Sequence, residues 1–280
     1  NRKMNGVEYF FFLRDLVERF DTGWEQITAS LERVRTSLLN RAGIKANLTM
    51  PEVESPLVKN LLAGLLGKIP SLTRLQSQWL TSKENQSEGW VIPTQVNYVG
   101  KGADLYDLGY RYDGSVHAIL NFLWNTWLWD RVRIQGGAYS ASASFGRQSG
   151  VLTLASYRDP NLFGTLDIYD RAGEYLKDAD ISSDEIRKSI IGAIGAIDAY
   201  RLPDAKGFTS LLQHLIRETD EARQIMRDQV LETTLSDFRE FADVMDEFRD
   251  RGKVAVVGSR EAFDRAHTDK PDFFKLANLI

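Results

Sequence analysis

The 280-residue chain contains no cysteine. That absence excludes disulfides, thiolate nucleophiles and cysteine-ligated zinc together, and it fits a reducing compartment. Histidine is scarce: His117, His214 and His267 are the whole complement. No HExxH or HxxEH pair exists among them, so a zinc-protease site on one helix is excluded from this sequence. There is no P-loop and no GxGxxG, and "GSR" at 258–260 lacks the second glycine of a nucleophile elbow. The apolar neighbourhoods "AILNFLWNTWLW" and "EYFFFL" are too short and too interrupted to span a bilayer, and no signal-peptide pattern opens the sequence. Basic blocks are also missing. With 35 Lys and Arg against 39 Asp and Glu, the formal net charge is −4, which disfavours nucleic acid as a partner. These absences predict no nucleic-acid partner, no membrane partner, and a cytoplasmic or organelle-matrix location rather than secretion. Asn47-Leu48-Thr49 and Asn85-Gln86-Ser87 match the glycosylation pattern but carry little weight without a secretory signal. The opening "NRKMNGVEYF" begins with Asn1 rather than Met, and reads as a fragment of a longer protein.

What is present is core material. Apolar residues make up 43%, with Phe 14, Tyr 10 and Trp 6, enough for one large domain or one domain and a piece of another. Residues 1–22 read as the end of a preceding domain or a linker, and 23–280 as the domain proper. Trp24, Ile27, Leu31, Val34 and Leu38 recur at helical spacing. "IKANLTM" (44–50) reads as a strand. Leu57, Leu61, Leu65, Ile69, Leu72, Leu75 and Trp79 suggest a long helix, strained or broken near Pro70. After the polar loop 82–89, "WVIPTQVNYVG" (90–100) reads as an edge or irregular strand. Residues 115–130 are apolar almost all round, the mark of a buried helix. Tyr139, Ala141, Ala143 and Phe145 alternate with Ser140, Ser142 and Ser144; with 151–157 this predicts a hairpin. Residues 161–250 look almost wholly helical, "RDPN" starting the first of these helices with Pro160 near its first turn. "KVAVVGS" (253–259) is a short buried strand before an amphipathic, peripheral tail. The order predicts an α+β fold, helices packed on a largely antiparallel sheet, with Gly192 and Gly195 allowing close approach within a helix.

The polar candidates are few. His214, Glu218 and Glu221 fall at i, i+4 and i+7, which reads more simply as a solvated helix face than as a metal site. His117 reads as a core or helix-start histidine. The acidic clusters "DADISSDE" and "RETDEAR" sit at helix ends, where carboxylates offset the dipole. The most informative stretch is "RVRIQGGAYSASASF" (131–145). Arg133 falls in the last turn of the buried helix, Gly136-Gly137 end that helix by adopting positive φ, and Tyr139 opens the strand. An ordinary helix end accounts for these residues. So does a functional reading: a guanidinium and a phenol held on either side of a glycine joint make two donors for a developing oxyanion.

The segments "RIQGGAYSASASF", "SGVLTLASYRDPN" and "TLDIYDRAGEYL" resemble the C-terminal domain of the presequence-protease branch of the pitrilysin and insulysin zinc metalloproteases. The match includes an arginine six residues before a tyrosine, the GGAY tetrapeptide and SYRDPN. It is strongest around 130–176 and extends in order and length over most of the chain. The resemblance implies a pitrilysin and mitochondrial-processing-peptidase-like fold and a clamshell of two homologous halves that degrades short unstructured peptides. It implies Zn2+ bound by an N-terminal half of the same polypeptide, with no metal ligands here. It implies that Arg133 and Tyr139 complete the active site, Tyr139 on the scissile carbonyl or its oxyanion and Arg133 supporting it or the substrate backbone, with Gly136 and Gly137 at the substrate-binding joint. On that reading the fragment alone is inactive. The competing expectation is a non-catalytic scaffold or peptide-binding subunit of the same fold.

Overall fold

A computed structural model of the chain describes residues 6–73 and 86–279. In chain order it contains α1 (Val7–Glu18), α2 (Trp24–Leu38), α3 (Ser55–Gly67), β1 (Ser87–Val91), β2 (Asn97–Asp104), α4 (Ser115–Leu123) continuing into a π-helical stretch (Trp124–Gln135), β3 (Ser140–Gly146) and β4 (Val151–Asp159). Then follow α5 (Phe163–Asp170), α6 (Ala172–Asp178), α7 (Ser183–Ile197), α8 (Pro203–Leu215), α9 (Asp220–Leu231), α10 (Leu235–Arg251), β5 (Lys253–Gly258), α11 (Arg260–Asp269) and β6 (Phe274–Asn278). The chain forms two compact units, Asn1–Ser82 with Arg201–Arg217, and Lys83–Tyr200 with Glu218–Ile280.

The first unit consists of α1, α2, α3 and α8 with their connections. Its helices bury no residue: Trp24, Leu31, Val34 and Leu38, the predicted stripe of α2, are all exposed. The pattern made the helix but not a core. Residues 44–50 are not a strand; no strand among the described residues pairs with their backbone, and the Asn47 side chain instead donates to the Gly207 carbonyl at 2.9 Å. Helix α3 stops at Gly67, before Pro70 can break it, and the Pro70 carbonyl accepts from the Arg41 N–H. Leu75, Trp79 and Asn85 lie outside the described residues.

The second unit holds a six-stranded sheet in the order β3-β4-β2-β5-β1-β6. The pairs β3/β4, β4/β2 and β2/β5 are antiparallel, while β5/β1 and β1/β6 are parallel. Pro93 splits the predicted strand 90–100 in two, since proline cannot donate to a ladder; its first half, β1, is interior rather than an edge. The tail contributes α11 and the edge strand β6, beyond what its amphipathic pattern suggested. Helices cover one face. Val99, Leu152, Leu154 and Val256 from the strands pack with Ile119, Leu123, Leu128, Tyr169, Phe238 and Phe248 in one continuous core. Each large side chain so buried stabilises the fold by about 1.5–3 kcal/mol. The other face is open and nearly level. Ser142 lies opposite Ala155, Ala155 opposite Gly100 and Gly100 opposite Ala255, all partly or fully exposed.

Helix ends follow local chemistry. Ser182 and Glu185 make a reciprocal capping box at α7, and Thr219 caps α9 by accepting from the Ala222 N–H. Helix α8 ends at Leu215 and α9 begins at Asp220, so His214, Glu218 and Glu221 do not share a helix; Glu218 instead pairs with Arg147 at 2.7 Å. Gly192 allows close helix approach, because a Cβ there would meet the Asn121 side chain at 2.7 Å, whereas Gly195 faces open space.

Candidate active site

The buried helix delivers Arg133 and a glycine joint delivers Tyr139. Along the π-helical stretch Trp127, Leu128 and Val132 are buried, and Arg133, directly after Val132, is half-buried. The helix closes by widening its last loops: the Gly136 N–H donates to Arg131 O at 3.0 Å, Gly137 N–H to Arg133 O at 3.1 Å and Ala138 N–H to Val132 O at 3.1 Å. The two glycines are needed for different reasons. Gly137 alone takes the left-handed conformation, at φ +79°, where a side chain is strained. Gly136 stays helical at φ −78°, but a Cβ there would lie 2.6 Å from the Val132 carbonyl oxygen. The expectation of positive φ for the pair is therefore corrected to Gly137 only; tight closure against the preceding turn sets Gly136.

A second segment buttresses the joint. Asn161 Nδ2 donates to the Gly136 carbonyl at 2.6 Å, and Asn161 N–H donates to Asp159 Oδ1 at 2.9 Å. Asp159 is fully buried, and its other carboxylate oxygen accepts from the Thr165 hydroxyl at 2.7 Å. This local knot displaces the predicted helix start, so that α5 begins at Phe163, three residues after Pro160.

Arg133 and Tyr139 come together through backbone rather than through their side-chain tips. Arg133 Nε donates to the Tyr139 carbonyl at 3.0 Å, and its guanidinium carbon sits 3.9 Å above the Trp129 ring. Stacking and one hydrogen bond orient the guanidinium, and its two terminal nitrogens donate to no described residue. The Tyr139 backbone N–H is anchored on Tyr157 O at 3.0 Å. Its side chain is 67% exposed, despite the alternation that aligned it with buried Ala141, and its hydroxyl has no hydrogen-bond partner among the described residues. The Tyr157 ring stands 6.1 Å from that of Tyr139 and 5.2 Å from that of Tyr98, both edge-on. A row of three tyrosines thus runs from the joint onto the open sheet face. Sequence reading missed Tyr98, Tyr157 and Asn161. Alternation marks faces within one strand, and only cross-strand register brings Tyr98 beside Tyr157.

Among the described residues no group of three or more His, Asp or Glu could hold a metal ion. His117 is no exception: it lies in the first turn of α4, with Nε2 3.0 Å from the Tyr112 hydroxyl. Burial, aided by nearby Arg147, holds its imidazole below the usual range, and burial pushes Tyr112 up to about 12. What the Arg133–Tyr139 arrangement offers is donors, from two side chains with unengaged N–H and O–H groups, and no proton acceptor poised for base chemistry.

A mixed sheet with helices on one face is a fold shared with solved pitrilysin-type (M16) structures. Pitrilysin superposes with a TM-score of 0.52 at 12% identity, over 82% of this chain and 25% of that one. An M16 peptidase inactive domain from Pseudomonas fluorescens gives 0.52 at 17%, over 75% and 52%. Residues 87–260 match the family described as the PreP C-terminal domain, and the chain belongs to that family. It is 44% identical over its whole length to presequence protease 1, chloroplastic/mitochondrial, of Arabidopsis thaliana, covering 26% of that protein. It is 28% identical to the HypA protein of Clostridium perfringens over 93% of the chain and 26% of the relative. It is 25% identical to the mitochondrial presequence protease of Emericella nidulans over 88% and 24%. The chain therefore spans about a quarter of the length of these relatives. No helix among the described residues is long and apolar enough to cross a membrane.

Proposed function

We propose that this chain belongs to the non-zinc, C-terminal half of a metalloendopeptidase that degrades short unstructured peptides, working in an organelle matrix as its plant and fungal relatives' names suggest. Residues 23–280 form the domain on this reading, and 1–22 lead into it. On this reading the metal belongs to the N-terminal half of the same polypeptide, where it would supply metal-assisted attack of water. This half binds and orients. Tyr139 donates its hydroxyl to the scissile carbonyl and to the oxyanion that develops from it. Arg133, held by Trp129 and the Tyr139 carbonyl, directs its free nitrogens at the same oxygen or at the neighbouring peptide backbone. Gly136 and Gly137 let substrate approach the joint. The small-residue face of the sheet forms a wall along which an extended peptide can lie.

The observation that carries this reading is the pair itself: a phenol and a guanidinium adjacent in space, both oriented by backbone contacts, neither spending its free donors on the fold. The test is peptide hydrolysis by the intact polypeptide carrying Tyr139→Phe. Loss of one oxyanion donor lowers kcat/KM by about 10²–10³-fold. An unchanged kcat/KM removes Tyr139 from the chemistry and favours the scaffold.

A further inference from the structure

Strand β4 ends in a bulge beside Tyr139. Asn97 pairs with Asp159 but Val99 pairs with Ser156, so Tyr98 on β2 spans two residues of β4, Tyr157 and Arg158. Up to that point β4 alternates, with Leu152, Leu154 and Ser156 buried; then Tyr157 and Arg158 are both exposed before Asp159 is buried again. The extra residue turns two consecutive side chains toward solvent where regular pleating would bury one. Arg158 takes φ +50° to do so, a left-handed conformation that glycine or asparagine adopts far more readily than arginine.

The charge placed there is not used by the fold. Among the described residues Arg158 makes no ion pair and donates no hydrogen bond; its guanidinium carbon lies 5.6 Å from the Tyr157 ring centroid. Several other arginines of the unit are ion-paired, Arg147 with Glu218, Arg171 with Glu174 and Arg249 with Asp246. The adjacent carboxylate is spent elsewhere, since Asp159 faces inward onto Asn161 and Thr165. Arg133 is likewise without an ion pair among the described residues. Two uncompensated guanidiniums therefore flank the Tyr139–Tyr157 ring pair.

We propose that Arg158 is a specificity-determining residue that binds a carboxylate of the peptide close to the scissile bond, so that peptides bearing an acid there are preferred. This rests on the peptidase reading above. The carboxylate is either an Asp or Glu side chain or the peptide's own C-terminus; both present the same group to a guanidinium. The bulge turns Asp159 inward onto Asn161 and Thr165, and the same turn sends the Arg158 side chain outward beside Tyr157, where a strained backbone holds it.

The experiment compares the intact polypeptide with its Arg158→Gly and Arg158→Lys variants on a fluorogenic peptide series. One arm places Glu or Gln at each position within two residues of the cleaved bond. The other compares a free C-terminal acid with its amide. The wild type prefers the acid-bearing member by about fivefold or more in kcat/KM; Arg158→Gly erases that ratio and Arg158→Lys keeps part of it. The arm in which the ratio collapses identifies the carboxylate. Glycine suits the left-handed backbone, so the melting temperature of Arg158→Gly does not fall. Equal ratios in wild type and Arg158→Gly overturn the inference, as does no acid preference in the wild type. A loss of melting temperature with all peptides slowed alike makes Arg158 a structural residue. If Tyr139→Phe slows hydrolysis while Arg158→Gly alters no ratio, the peptidase reading stands and this inference alone fails. If the wild type cleaves no peptide, both fall.

Discussion

At the residue scale, conformation decides what can be exchanged. Gly137 is the hinge on which the distance between Arg133 and Tyr139 depends, and its φ of +79° leaves no relaxed alternative. Gly137→Ala costs about 1–2 kcal/mol through left-handed strain and shifts Tyr139 relative to the guanidinium. Both effects are measurable: a lower melting temperature, and a fall in kcat/KM larger than the stability loss accounts for. A second residue sets a pH dependence. In the folded chain His117 resists protonation because it is buried and near Arg147, whereas the unfolded chain takes the proton near pH 6.5. Between the depressed native value and 6.5 the unfolded state binds more protons, so stability is greatest above about pH 6.5 and declines as pH falls below it. His117→Gln should flatten that decline in melting temperature measured from pH 7.5 to 5; a slope equal to the wild type's assigns the acid sensitivity elsewhere.

At the element scale, the site is two connections that brace each other: the helix end 131–138 and the strand end 157–161. Asp159 is the internal post of the second, accepting from the Asn161 N–H and the Thr165 hydroxyl at full burial. Asp159→Ala leaves both donors without a partner and costs about 1–3 kcal/mol for each group stranded, read as a lower urea midpoint. It also frees Asn161 from Gly136, so activity drops with it. These connections show how far sequence reading reaches. The buried helix, the hairpin and the Arg-Gly-Gly-Tyr joint were legible, because apolar runs, period-two alternation and glycine pairs are local signals. The bulge was not, because a register shift between β2 and β4 leaves no trace in either strand alone. The supposed strand 44–50 failed for the complementary reason. Its residues suit an extended backbone, but pairing needs a neighbour, and none lies alongside among the described residues. Strand β6 was missed because "FKLAN" is short and has little alternation to distinguish it.

At the scale of the whole molecule, burial is unevenly shared. The second unit encloses a continuous core, while α1, α2, α3 and α8 of the first bury nothing, and Phe12, Trp24, Leu31, Leu57, Leu61 and Phe208 are among the large apolar side chains they expose. Exposed apolar surface on this scale marks an interaction site. The chain spans 26% of its Arabidopsis relative, and on the proposed function the occupant of this surface is the N-terminal portion of the same polypeptide. Two results follow from that assignment and from the lack of a metal cluster among the described residues. The 280-residue chain alone should bind a hydrophobic dye strongly and hydrolyse no peptide. Supplying the remainder of the polypeptide in trans should reduce dye binding and, on the proposed reading, restore zinc-dependent hydrolysis. Hydrolysis by the isolated chain would place the chemistry here after all. Complementation that restores activity while leaving the dye bound would show that these helices serve a different partner.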